Sequence, residues 1–372
     1  MKALIVLGTR PEAIKMAPLV SALRQESQIG VEVCVTAQHR QMLDPMLDFF
    51  DIRPDYDLDV MAPDQTLLGM TSKVMAGLDT ILKQAAPDLV LVQGDTSTTL
   101  AAALSAHYRQ IEIAHVEAGL RTGNLSAPWP EEANRRLTSV LARYHFAPTA
   151  GARDNLLREG VHDGAIHVTG NTVIDALLET AARIRRDTAR REELATRFAF
   201  LNARKRMILV TAHRRENLDH GLESVCRALL EIARRGDVEI VFPVHFNPRV
   251  REPVHRLLDD VPGIFLIDPQ DYLPFVYLMD RATLVITDSG GIQEEAPAMG
   301  KPVLVTRETT ERPEAVAAGT VRIVGTDQAT IVMEAVRLLD DPVGYAAMAQ
   351  ATNPYGDGKA AQRIRDILMS AC

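Results

Sequence analysis

Apolar and polar positions along the 372-residue chain fall in blocks, short apolar runs each closing on a polar turn and followed by a stretch with helical spacing. Residues 3–7, ALIVL, form the first run, and an unbroken apolar run of that length predicts a strand buried on both faces of a parallel sheet. The run enters Gly8-Thr9-Arg10-Pro11-Glu12, where Pro11 suits the first turn of a helix that continues through Met16 and Leu19 to Leu23. The same alternation predicts strands at 31–36, 89–92, 111–116, 144–147 and 166–169, with a helix over 66–84 and others between. At residue 207 the pattern restarts, with strands at 207–210, 239–244, 264–267, 284–286 and 302–305 and closing helices at 329–339 and 361–369. Such alternation predicts an α/β protein of two doubly wound parallel-sheet, Rossmann-like domains. We expect them to face a central cleft. Gly170-Asn171-Thr172 reads as the hinge, dividing residues 1–169 from 170–353, and the charged stretch 183–197 reads as a solvated helical face.

Candidate chemistry sits where the apolar runs end. Arg10 and Lys15 follow the first strand, at the edge where open α/β sheets bind ligands. Residues 284–314 are the most informative segment: a strand, the turn Asp288-Ser289-Gly290-Gly291, a helix start, a second strand and an Arg-bearing loop. Free N–H groups and the helix dipole make that turn an anion site, with Ser289, Gly290, Gly291 and Arg312 near a nucleotide diphosphate. Two acids just inside the helix would repel bare phosphate but suit neutral hydroxyls, which places Glu295 on a ribose. Asp95, Glu117 and Glu131 end runs in the first half, and His213, His245 and Gln270 in the second. Carboxylates there suit general acid–base work, and the Arg and His residues suit a leaving diphosphate. Each also has a plainer reading: Asp95 as a helix cap, Glu131 as a first-turn charge, His213 as a packing histidine.

Composition narrows the class. At 47% hydrophobic and 24% charged residues the chain is that of a globular protein, not a disordered or fibrous one. No apolar run approaches the ~18 residues of a membrane span, and the N-terminal run is too short for a secretory segment. A net charge of −8 argues against a general nucleic-acid binder. Cys34, Cys226 and Cys372 lie far apart without metal spacing, so neither a disulfide framework nor a zinc site is expected, and the expected location is cytoplasmic.

Read together, these residues resemble the non-hydrolysing UDP-N-acetylglucosamine 2-epimerases, which interconvert UDP-GlcNAc and UDP-ManNAc. The resemblance is carried by GTRPEAIKMAPL (8–19), TAQHRQMLD (36–44), VQGDTSTT (92–99), HVEAGLRTGN (115–124), PWPEEANRR (128–136), GNTVIDAL (170–177), VTAHRREN (210–217), PVHFNP (243–248) and TDSGGIQEEAP through TTERPE (287–314). These motifs span nearly the whole chain in order. The resemblance implies a glycosyltransferase-B-like fold, a UDP-sugar substrate, a homodimer, no cofactor and no catalytic metal. It also implies a C-terminal helix within 354–372 that packs back on the first domain. By the same resemblance Arg10, Lys15, Arg135, Gln270, Phe275, Ser289, Gly290, Gly291, Glu295 and Arg312 bind the substrate, with Phe275 near the uracil. Asp95, Glu117 and Glu131 resemble the acid–base carboxylates, and His213 the residue beside the leaving diphosphate. Gln38, Arg214 and His245 are candidates for a second, activating UDP-GlcNAc site. Leu125-Ser126-Ala127 departs from the family pattern, in the loop before Glu131. A retaining glycosyltransferase, a hydrolysing epimerase and a non-catalytic nucleotide-sugar sensor are the competing readings.

Overall fold

The structure, a computed structural model, describes residues 1–36, 40–61, 65–214, 217–218 and 220–371. The first half builds seven strands, β1 (Lys2–Leu7), β2 (Gly30–Val35), β3 (Tyr56–Asp57), β4 (Leu89–Gln93), β5 (Glu112–Val116), β6 (Tyr144–Ala147) and β7 (Ile166–Val168). They form one parallel sheet in the order β3-β2-β1-β4-β5-β6-β7. The second half builds β8 (Arg206–Thr211), β9 (Val238–Pro243), β10 (Ile264–Ile267), β11 (Leu284–Thr287), β12 (Val303–Val305) and β13 (Val321–Ile323). These also pair in parallel, in the order β10-β9-β8-β11-β12-β13.

Burial follows the apolar runs. Ala3 to Leu7 are all buried, as a parallel strand covered by helices on both faces must be. Leu4 and Val6 pack with Val90 and Val92 against Val74 and Leu78 of the helix Leu67–Ala85 and against the Ala-rich helix Ser97–Tyr108. In the other sheet Ile208, Val210, Ile240, Phe242, Leu284 and Ile286 pack with Leu222, Leu229 and Ile331. In each sheet the strand order reverses once, between β1 and β4 and between β8 and β11, and a crevice at the carboxyl ends opens at such a reversal. Close packing there is enforced by Gly8, where an added Cβ would lie 2.3 Å from Thr98 Oγ1.

The chain divides into two compact units, Met1–Ala176 with Tyr355–Cys372, and Leu177–Pro354. Gly170, Asn171 and Thr172 therefore lie in the first unit, and the chain leaves it inside the helix Thr172–Arg186. The C-terminal helix Ala360–Ser370 packs on the helix Arg10–Arg24 of the same unit. Asp175 accepts the Ala360 and Ala361 N–H groups at 3.2 and 2.9 Å, satisfying donors at that helix start, and Arg363 donates to the Thr169 carbonyl at 3.1 Å.

Three details differ from the sequence pattern. β3 and β13 were not expected, because runs of two and three residues carry no periodicity. The charged stretch 183–197 is two helices, Thr172–Arg186 and Thr188–Arg197, broken at Asp187, whose carboxylate accepts the Arg190 N–H at 3.0 Å and caps the second. Among the described residues no helix is long and apolar enough to cross a membrane.

Candidate active site

In the first unit the ends of β1, β4 and β5, three neighbours in the sheet, deliver the polar residues. After β5, Glu117 takes a left-handed backbone (φ 63), unusual for a residue with a side chain. Its carboxylate receives Lys15 Nζ at 2.8 and 2.6 Å, Gln93 Nε2 at 3.0 Å and Asn171 Nδ2 at 2.8 Å. After β4, Asp95 pairs with Arg135, while its carbonyl accepts Asn134 Nδ2 at 2.9 Å. Both partners belong to the helix Glu131–Leu141, so Glu131, which opens that helix, is anchored to the Asp95 turn one helical turn further on. The turn is also held from beneath. Buried His115 donates from Nε2 to the Gly94 carbonyl at 2.7 Å, and burial pushes its imidazole down to about 3, so it stays neutral.

Arg10 opens the helix after β1, and the turn that carries it is tied to β4 by Glu12. This carboxylate, 2% exposed, accepts the Gly8 N–H at 3.1 Å and the Thr9, Thr96 and Thr99 hydroxyls at 2.7, 2.9 and 3.3 Å. Burial raises its pKa, and those hydrogen bonds oppose the rise.

In the second unit the ends of β8 and β11 converge in the same way. Fully buried Asp288, after β11, accepts the His213 and Arg214 N–H groups at 2.9 and 2.8 Å, and its other oxygen lies 3.3 Å from His213 Nδ1. Desolvation lowers the His213 pKa, with Asp288 opposing and Arg214 and His245 adding to it. The His213 ring stacks on His245, centroids 5.8 Å apart. Ser289 precedes the helix Gly290–Ala298, and a Cβ on Gly290 would lie 3.6 Å from Arg214 Nη2 and 3.9 Å from Arg312 Nη2. Two guanidinium groups thus stand over a helix N-terminus, an arrangement for an anion. Arg312 is itself ion-paired with Glu294, which is buried. Glu295 turns toward Gly291, its Oε1 3.5 Å from where a Cβ would be. Gln270 donates to the Asp268 carbonyl at 2.5 Å and Phe275, half-buried, lies in the helix Tyr272–Arg281.

These contacts group the expected residues by unit. Lys15, Asp95, Glu117 and Arg135 are gathered on the first unit's rim, with Arg10 on the adjoining turn and Glu131 at the start of the helix that carries Arg135. His213, Ser289, Gly290, Gly291, Glu295 and Arg312 share the second. Arg214 and His245, candidates for the activating site, lie beside Gly290 and His213 respectively, and Gln38 is outside the described residues. Among the described residues no three His, Cys, Asp or Glu side chains are grouped to hold a metal ion.

The sequence model of the UDP-N-acetylglucosamine 2-epimerase family matches residues 21–369. The chain belongs to that family. It is 59% identical over 369 residues to the UDP-N-acetylglucosamine 2-epimerase of Escherichia coli K12, covering 99% of this chain and 98% of that protein. A probable UDP-N-acetylglucosamine 2-epimerase of Ralstonia nicotianae is 60% identical, covering 98% of this chain and 97% of its own length. The crystal structure of UDP-GlcNAc 2-epimerase from Neisseria meningitidis bound to UDP-GlcNAc superposes with a TM-score of 0.90 at 50% identity, each chain covered in full. As a UDP-N-acetylglucosamine 2-epimerase family member the chain is an isomerase, and its two parallel-sheet units are of the glycosyltransferase-B-like type.

Several residues of the epimerase rims escaped the sequence reading. Glu12 passes for a first-turn helix charge, Gln93 for the end of an apolar run and Asn171 for part of a linker. Glu294 was paired with Glu295 as a hydroxyl holder, but it serves Arg312. Only Asp288 carried a usable signal, a lone acid directly after an apolar strand.

Proposed function

We propose that the chain reversibly inverts sugar C2, interconverting UDP-N-acetylglucosamine and UDP-N-acetylmannosamine. The C2 proton is not next to a carbonyl, so deprotonation alone has nowhere to place the electron pair. Breaking the C1–O bond provides that place. A carboxylate removes the proton as UDP leaves with the bonding pair, giving a neutral glycal with a C1–C2 double bond. UDP then returns to C1 while a second carboxyl group protonates the opposite face of C2, so atoms balance and nothing is oxidised.

The observation that carries this reading is the pair of carboxylates at neighbouring strand ends, each matched to a cation: Glu117 with Lys15 at 2.6 Å, and Asp95 with Arg135. Asp95, Glu117 and Glu131 act as one acid–base group, whose protons are shared rather than assigned singly. Removing any one costs on the order of 10²–10⁴ in rate. In the second unit the helix start at Ser289, Gly290 and Gly291 takes the diphosphate with Arg312 and Arg214, and Arg10 adds to the phosphate set. Glu295 takes the ribose hydroxyls, Phe275 lies near the uracil, Gln270 is a further nucleotide contact, and His213 stands beside the leaving phosphate. The reading includes a cytoplasmic location and a homodimer, the latter suited by the exposed Leu137 and Val140 on one face of the helix Glu131–Leu141.

Incubation with UDP-GlcNAc in D₂O tests it. UDP-ManNAc with deuterium at C2 is expected. Free ManNAc and UDP would show a hydrolase instead, and unchanged sugar would leave a transferase or a sensor.

A further inference from the structure

We infer that Asn171 is a positioning residue for Glu117, and that it ties this carboxylate to both places where the chain passes between its units. The inference rests on the acid–base role proposed for Glu117. Asn171 is buried and three of its groups are engaged. Its side-chain oxygen accepts the Val173 N–H at 3.2 Å, in the first turn of the helix Thr172–Arg186. Its side-chain nitrogen donates to Glu117 Oε2 at 2.8 Å, and its backbone N–H donates to the Tyr355 carbonyl at 2.7 Å. The amide cannot be turned over without setting two donors against each other at Val173 and two acceptors at Glu117.

A helix start needs only the oxygen, which Asp or Ser supplies equally well. The nitrogen has a different use. Gln93 donates to Oε1 of Glu117 and Asn171 to Oε2, so two fixed amides set the plane of a carboxylate whose charge is met by the flexible Lys15. Without the second amide the carboxylate can swing about the lysine.

Asn171 also stands at the crossings. The chain leaves the first unit after Ala176, five residues on, and re-enters it at Tyr355, the residue whose carbonyl Asn171 binds. The two passing segments touch through glycine backbone, since a Cβ on Gly170 would lie 3.3 Å from both Gly356 Cα and the Tyr355 carbonyl oxygen. A displacement of either segment therefore shifts the Asn171 amide relative to Glu117.

Asn171→Asp and Asn171→Ser keep an oxygen for Val173 and lose the donor to Glu117, which separates positioning from helix capping. Asn171→Ser is expected to fold with a near wild-type melting temperature and Asn171→Asp with a lower one, because it sets two carboxylates side by side; both are expected to keep KM for UDP-GlcNAc and to lose on the order of 10-fold or more in kcat. The acid limb of the kcat/KM profile should move to higher pH, further for Asp than for Ser, because a second carboxylate beside Glu117 favours its protonated form. Wild-type turnover with variant profiles that match it, or with losses that track melting temperature alone, would overturn the positioning role and leave the reaction standing. Absence of UDP-ManNAc from the wild type would overturn both.

Discussion

Arg312 can stand over the start of the helix Gly290–Ala298 because Glu294, buried in that helix, ion-pairs with its guanidinium. Consecutive helical residues point about 100° apart, so the twin acids divide: Glu294 turns to the arginine and Glu295 toward Gly291. The sequence showed two acids in a phosphate-binding turn but not which way each faced, a difference set by packing around the loop at residues 307–312. Glu294→Ala removes no ligand contact in the proposed function, yet it takes away the buried ion pair that orients the guanidinium. The dissociation constant for UDP is expected to rise about 10-fold, the loss of roughly one charge-assisted hydrogen bond's orientation. Titration calorimetry of the variant with UDP checks this, and an unaltered affinity would mean that Arg312 needs no such support.

Secondary structure was most legible where burial is continuous. β1, β4, β8 and β11 are apolar between their ends and β5 departs from this inside the strand only at buried His115, because a central parallel strand has no solvent face, and their polar ends marked the rims directly. Edge strands carry less signal: β3, two residues long, pairs with Cys34 and Val35 and is held further by Tyr56 on Glu32 and Asp57 on Arg40. What the sequence withheld was burial of polar groups, since Glu12, Asn171 and Asp175 look like ordinary helix-start residues until their partners from distant segments are seen. Asp175 joins two such segments, accepting both N–H groups at the start of the C-terminal helix Ala360–Ser370 from within the helix Thr172–Arg186. Asp175→Ala leaves those donors unmet. Stability is expected to fall by about 1–2 kcal/mol, with faster amide exchange confined at first to residues 360–370; uniform exchange across the chain would contradict this latch.

Each unit uses one buried carboxylate to bind the two strand ends at which its sheet reverses: Glu12 across β1 and β4, Asp288 across β8 and β11. Rims built on buried polar groups make the molecule sensitive to protons, and two buried histidines set the direction. Burial holds His115 at about 3 and His145 at about 4, against an ordinary 6.5. As pH falls below 6.5 the unfolded chain takes up protons on both, while the folded chain does not until those lower values. Their contribution is therefore complete above pH 6.5 and is lost progressively toward pH 4 and below, about 2 kcal/mol for each histidine by pH 5. Asp175 works the other way, because burial lifts it from 3.8 to about 6. The folded chain binds its proton first, which returns about 1 kcal/mol by pH 5, and Glu12, also raised by burial, acts in the same direction. The histidines outweigh Asp175 over this interval, so urea midpoints followed by circular dichroism should drop between pH 7.5 and pH 5. His145→Gln removes one of the two titrations and should flatten that slope markedly; a midpoint that holds or rises on acidification would show that the histidine pair does not govern stability in this range.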